Sequence, residues 1–530
     1  MTHLQPGSDD RIEVAAAAGR VIGLREDGVA VFRGIRYAEP PRGDLRFAPP
    51  VDAAPVEVID ATTWGAVSLQ DLDPLPRQLP GTEGYYYQPD IEFSEDCLQL
   101  NVWAPPEATN GAPVLVWFHG GGFVWGSGTG PWVDGSRFAR EQGLVVVTVT
   151  YRLGLLGNLW FGDIDPQNSD LGLQDQTAAL RWVSRNIAAF GGDPERVTIM
   201  GQSAGGLAAC AHLVAPGSRG LFHGAVVISG HLGMTPSVAD ATAFRARALA
   251  GLSVDSTGDV LAQLRSLSTA RILQVQRELG LSAGGFPLVA DGVVMPAVPL
   301  DAVRRGDGAA VPLLLGFDAE ENRLWSITDG IPAVPARQLL TGLLVDEVLT
   351  DQALALYADL DVDSAESYYP VINDQAWAVP SQALADAHAT AGNPVFAYEF
   401  VRESPVVAGP HSTRVGAAHL SELPFFFGNL DAPGVPDLLG HEVLSDPALR
   451  GLADRVSATI AAFVRTGTPD GGPLGAWPAT KPGARVTMVI GEGPDAISRA
   501  VPDRHAERTA FWTAQTGAAS LLDLITAEAG

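Results

Sequence analysis

At 530 residues and 55.5 kDa, with 46% hydrophobic and 18% charged side chains, the chain has ample material for a deep core and is not a disordered or fibrous sequence. Its 61 acidic side chains against 34 basic ones leave a net charge of −27, which repels phosphate backbones and anionic lipid surfaces, so neither nucleic acid nor a membrane is expected as a partner. Two cysteines, Cys97 and Cys210, are too few for a disulfide scaffold or a cysteine metal site, and the opening MTHLQPGSDDRIEV has neither the cationic start nor the apolar run of a secretory leader, so a cytoplasmic location is expected.

In chain order, the first hundred residues hold short alternating runs such as VAVFRGIRYA, bounded by Pro and Gly, which predict antiparallel edge strands and surface loops. From Pro113 continuous apolar runs appear: PVLVWFHG, LVVVTVTYR, RVTIMGQS, GAVVISG, PLLLGF and PVFAYEF. Unbroken runs of this length are what strands buried on both faces require. The stretch from Gly143 to Gly162 is the most membrane-like, but Arg152 and its glycines mark it as a buried strand and the loop after it. TAALRWVSRNIAAFGG, between the second and third runs, carries apolar residues at helical spacing and ends in paired glycines. Strand, helix, strand alternation predicts an α/β chain with a large, mostly parallel sheet flanked by helices. Residues from about 331 to 394 are helical in texture and predict an accessory layer within one domain spanning 1–530.

GQSAG, Gly201 to Gly205, is the sharpest chemical signal, because it falls between the strand RVTIM and the small-residue helix AGGLAACAHLVA. A strand turning sharply into a helix forces the central serine into a strained conformation that small neighbours must accommodate, and it exposes the Ser203 oxygen above the sheet. HGGGF, His119 to Phe123, follows the strand PVLVWF, and consecutive glycines there can turn their N–H groups toward one point. Gly121, Gly122 and the amide of Ala204, which opens the helix after the serine, are the expected oxyanion donors. Serine needs a base oriented by a carboxylate, in the order serine, acid, histidine. Of the downstream histidines, His411, His419 and His441 suit that order, and Asp318, Glu320 and Glu321 all follow the strand PLLLGF; spacing does not choose among them.

The motifs FRGIRYAEPPRGDLRF, SEDCLQLNVW, VWFHGGGF, LGLQDQTAALRWV, FGGDPERVTIMGQSAGG, GAAHLSELPFFFGN and FVRTGTPDGGPLGAWP span nearly the whole chain. In them the sequence resembles the type-B carboxylesterases, relatives of bacterial para-nitrobenzyl esterases and cholinesterases. The resemblance implies an α/β-hydrolase fold with N-terminal antiparallel edge strands and helical insertions. It also implies a serine esterase whose triad is Ser203, Glu321 and His419. Four departures stand out: Gln202 where glutamate is common before the nucleophile, Asn322 where glycine follows the acid, Ser68 where secreted relatives place a cysteine opposite Cys97, and Arg36 where proline is common.

The expected reaction is hydrolysis of small carboxylic esters through an acyl-enzyme. Phe123, Trp125, Trp325, Phe425 and Phe426 are expected to shape an apolar pocket for bulky or aromatic groups, although core packing is the commoner use of any one such side chain. An amidase or carbamate hydrolase with the same triad, or a noncatalytic cholinesterase-like binding protein, would share much of this pattern. Gly491, Gly493 and Ala496 fall in dinucleotide-fingerprint spacing, but Pro494 and the short tail leave no room for the full unit. No cofactor and no metal are expected.

Overall fold

The computed structural model describes residues 10–70, 81–86, 88–105, 111–280, 288–344 and 346–516; the extreme N-terminus read for a leader lies outside them. The apolar runs become the strands of one large sheet: β1 (Arg11–Ala16), β2 (Gly19–Glu26), β3 (Val29–Arg36), β4 (Gln99–Ala104), β5 (Ala112–Phe118), β6 (Val145–Val149), β7 (Gly192–Gln202), β8 (Gly224–Ile228), β9 (Leu313–Asp318), β10 (Val395–Phe400), β11 (Val486–Glu492) and β12 (Ile497–Pro502). Their spatial order is β1-β2-β3-β4-β6-β5-β7-β8-β9-β10-β11-β12, with Val58–Asp60 added beside β2. The strands from β6 to β11 pair in parallel, while the N-terminal strands and β12 pair antiparallel. Every residue of β5, β6, β8 and β9 is buried, which explains why those segments read as unbroken apolar runs.

Helix α1 (Leu171–Asn186) covers one face, and its buried side carries Leu173, Leu180 and Val183. Asp175 on that helix forms a fork to Arg152, accepting at 2.8 and 2.7 Å, so the charge that interrupts the Gly143–Gly162 stretch is neutralised inside the protein. Among the described residues no helix is long and apolar enough to cross a membrane. Helices from 336 to 390 bury their own cluster, including Leu339, Leu340, Tyr357, Tyr369 and Trp377, beside the sheet. Gly491 and Gly493 sit at the hairpin joining antiparallel β11 and β12, not at the start of a helix. Arg36 reaches out to Asp96, with Nε 2.9 Å from Oδ1. Cys97 and Cys210 are buried free thiols, and Cys97 lies 3.5 Å from the Ser68 hydroxyl.

The ends of β5, β7 and β9 emerge at the same edge of the parallel sheet. The segments that follow them carry His119–Phe123, Ser203 and Glu321, so residues distant in sequence converge at one place.

Candidate active site

Ser203 stands between β7 and helix α2 (Ala204–Val214) with φ 57° and ψ −122°, a conformation serine does not adopt without compensation. The compensation is close packing of backbone. A Cβ on Gly205 would lie 2.0 Å from the carbonyl oxygen of Phe118, so only glycine lets the helix start against β5. The Ser203 N–H donates to the Ile228 carbonyl at 2.9 Å, pinning the turn to β8, and the side chain is half-buried and reachable.

Beyond β5, Gly121 and Gly122 have φ of 108° and 60°, values a side chain would oppose. Among the described residues no acceptor meets the N–H groups of Gly121, Gly122 or Ala204. Unmatched donors at a helix start and a glycine turn are what a developing oxyanion calls for. The loop is held from behind. Tyr151 donates to the His119 carbonyl at 2.6 Å, His119 stacks on Tyr151 with centroids 4.3 Å apart, and its Nδ1 lies 2.9 Å from the Gly120 carbonyl oxygen. Burial lowers the His119 pKa to about 4, so the ring is a neutral strut.

His419 follows a short hairpin (Ser404–Ala408 with Thr413–Gly416), and its Nδ1 meets Oε2 of Glu321. Glu321 is wholly buried and held at three further points: its Oε1 accepts from the Asp318 N–H at 2.8 Å, its N–H donates to Oδ1 of Asn373 at 3.1 Å, and its carbonyl oxygen accepts from the His419 N–H at 3.4 Å. The competing candidates are engaged elsewhere. His411 is exposed, with Nε2 2.9 Å from the Gly330 carbonyl oxygen, and His441 is exposed beside Asp437. Glu320 forms an ion pair with Arg323 at 2.7 Å. Asp318 is buried at the end of β9 next to Glu422. Burial, reinforced by the neighbouring Glu422 and Glu321 carboxylates, pushes the Asp318 pKa well up. Glu422, raised chiefly by burial as well, accepts from Ser229 Oγ at 3.3 Å.

The expected aromatic pocket divides. Trp325, half-buried on helix α3 (Arg323–Thr328), lies 5.2 Å from the His419 ring. Phe123 turns toward Tyr151 at 6.4 Å, and Trp125 is buried beside Gly121. Phe425 and Phe426, expected to shape the pocket, instead pack on Phe400 and Tyr398 of β10, each at 5.3 Å, because their short helix (Leu423–Phe427) presents them to the sheet. Sequence reasoning missed Trp377, which lies 5.4 Å from His419 and stacks on Trp325 at 5.9 Å. It comes from a π-helical turn (Asp374–Ala378), a local rewinding for which no residue pattern gives notice. Asn322 has φ −70°, and its side-chain oxygen accepts the Trp377 indole N–H at 2.9 Å. Gln202, wholly buried, sends its amide nitrogen to within 3.0 Å of His419 Nε2.

Residues 10–512 match the model of the carboxylesterase family. The chain is 34% identical to the para-nitrobenzyl esterase of Bacillus subtilis (strain 168) over 493 residues, covering 90% of this chain and 94% of that protein. It is likewise 34% identical to the phenmedipham hydrolase of Pseudarthrobacter oxydans, covering 93% and 98%. Among solved structures, a PNB esterase superposes with a TM-score of 0.81 at 31% identity, and the Geobacillus stearothermophilus carboxylesterase Est55 with 0.81 at 33%; each covers 94% of this chain and 99% of the other. A sheet of this order, a serine at its strand-to-helix turn and similarity along almost the full length converge on one conclusion: the chain belongs to the carboxylesterase family and is a carboxylic ester hydrolase.

Proposed function

We propose that the enzyme cleaves esters by two-step acyl transfer through Ser203, His419 and Glu321. Ser203 Oγ attacks the ester carbonyl carbon as its proton passes to His419 Nε2. The N–H groups of Gly121, Gly122 and Ala204 bind the oxyanion, and His419 then protonates the departing alcohol. Water, deprotonated by the same ring, releases the acid and restores the serine. Glu321 holds the imidazole in the tautomer with hydrogen on Nδ1 and compensates the imidazolium. The observation that carries this reading is the buried His419–Glu321 pair, together with a reachable serine in strained backbone at the helix start. The Trp325 and Trp377 faces against His419 support bulky or aromatic esters as substrates.

Two measurements test it. Ser203→Ala should lower kcat by on the order of a thousand-fold or more, because the covalent route is lost while the oxyanion donors remain. A fluorophosphonate should label the Ser203 peptide stoichiometrically; stoichiometric labelling of another serine would overturn the assignment.

A further inference from the structure

A directed chain of hydrogen bonds runs from the oxyanion loop to the triad acid. The Gly120 N–H donates to Tyr85 Oη at 2.9 Å, and Tyr85 Oη donates to Gln202 Oε1 at 3.2 Å. Gln202 Nε2 then donates to His419 Nε2 at 3.0 Å, and His419 Nδ1 donates to the Glu321 carboxylate. The polarity is fixed at both ends, since a backbone N–H can only donate and an ionised carboxylate can only accept. Tyr85 Oη already accepts from Gly120, so its own proton needs an acceptor, and that assigns the oxygen of Gln202 to Tyr85 and the nitrogen to His419. The geometry leaves little play: a Cβ on Gly120 would lie 2.6 Å from Gln202 Oε1 and 2.7 Å from Tyr85 Oη. Tyr85 and Gln202 are both buried.

From this we infer that Tyr85 is a positioning residue that holds the Gln202 amide with its N–H toward His419 Nε2, an orientation that opposes a second N–H on the ring. The inference rests on the proposed role of His419. An N–H pointing at Nε2 suits a lone pair and opposes an N–H there; a carbonyl oxygen at the same place would do the reverse. For Gln202 to present its oxygen to a protonated ring, it would have to turn its NH2 toward Tyr85, whose oxygen already receives one donor. Other groups face His419 as well. Glu321 stands at Nδ1, Glu422 lies on its own loop with Asp318 behind, and the uncharged faces of Trp325 and Trp377 cover the ring. The Glu321 carboxylate at Nδ1 favours the imidazolium, and the Gln202 N–H at Nε2 opposes it.

The test is the pH dependence of kcat/KM for a chromogenic aryl acetate, normalised by fluorophosphonate titration of Ser203 so that partial folding changes amplitude and not position. Tyr85→Phe and Tyr85→Met both lack the hydroxyl, and either should move the acid limb upward by about one pH unit, the size of one neutral hydrogen bond. In a Gln202→Leu background the same Tyr85 substitution should move the limb no further, because Tyr85 acts only through the amide. A limb that stays in place or moves down in the Gln202 parent, or an equal shift in both backgrounds, would overturn the inference. If Ser203 is not the labelled residue, the proposed function fails instead, and the two failures are read on different instruments.

Discussion

Trp377 donates its indole N–H to Oδ1 of Asn322 at 2.9 Å, tying the accessory helices to the residue that follows Glu321. The bond matters because the Trp377 ring lies on His419 and stacks with Trp325, so the imidazole is confined by two indoles as well as by its carboxylate. Asn322→Ala should leave a buried N–H without its acceptor and loosen that wall. The expected result is a fall in kcat on the order of tenfold with a lower melting temperature, since one orphaned buried donor costs about 1–3 kcal/mol. Steady-state kinetics and thermal unfolding would check it; wild-type values for both would show that the bond carries nothing.

Substitutions at the histidines and carboxylates should separate sharply. His419→Ala should cost nearly as much as loss of Ser203, while His411→Ala, exposed and bonded to the Gly330 carbonyl, should leave kcat/KM within about twofold, as surface changes usually do. Glu321→Gln should lower kcat by on the order of a hundred-fold or more with the fold intact, because an amide cannot compensate imidazolium. Glu320→Gln breaks an ion pair to Arg323 and should be read in stability before rate. A more damaged Glu320→Gln than Glu321→Gln in kcat would reassign the acid.

Gln202→Glu makes a prediction about pH. A carboxylate in place of the amide would sit about 3 Å from His419 Nε2 and accept where the amide donates, favouring the protonated ring. The rise of kcat/KM should move to higher pH by about 1–2 units, within the range of a close opposite charge. A profile superimposed on the parent, or moved down, would show that residue 202 does not govern the base.

Asp170 offers a stability test away from the chemistry. It is buried at a left-handed position with φ 47°, and Oδ1 accepts from the Val289 N–H at 2.9 Å. Burial raises its pKa to about 8. In the unfolded chain the group loses its proton near pH 4, so folding retains a proton that the unfolded state releases, and stability falls as pH rises from about 4 to about 8. Asp170→Asn keeps the acceptor for Val289, tolerates the backbone and has no proton to lose. Its melting temperature relative to the parent should therefore climb steadily across that window. A constant difference across the window would mean that Asp170 does not titrate there.

How much of this could be read from residues alone follows from what each signal depends on. The buried strands were legible because burial on both faces demands unbroken apolar runs, and the serine turn because a strand, three small residues and a helix lie in immediate succession. Phe425 and Phe426 were not, because a run of three phenylalanines on one helical turn faces several directions and composition does not say which face meets a sheet. Asp318, Glu320 and Glu321 were inseparable by spacing, since only three-dimensional placement gives one to His419, one to Arg323 and one to Glu422. Tyr85 left no trace, because a hydroxyl that bonds a glycine N–H and a glutamine is defined by partners 35 and 117 residues away.

The long reach of those partners bears on how the protein is made. Tyr85, the glycine turn and Ser203 all belong to the first two-fifths of the chain, whereas Glu321 and His419 come far later. During synthesis from the N-terminus, the ribosome therefore releases the serine long before His419, its proposed base, exists. On the proposed mechanism, a chain cut before residue 419 has the serine but nothing to remove its proton. On that mechanism the order of residues along the sequence acts as a safety interlock: the base arrives only after nearly four-fifths of the polypeptide has been made.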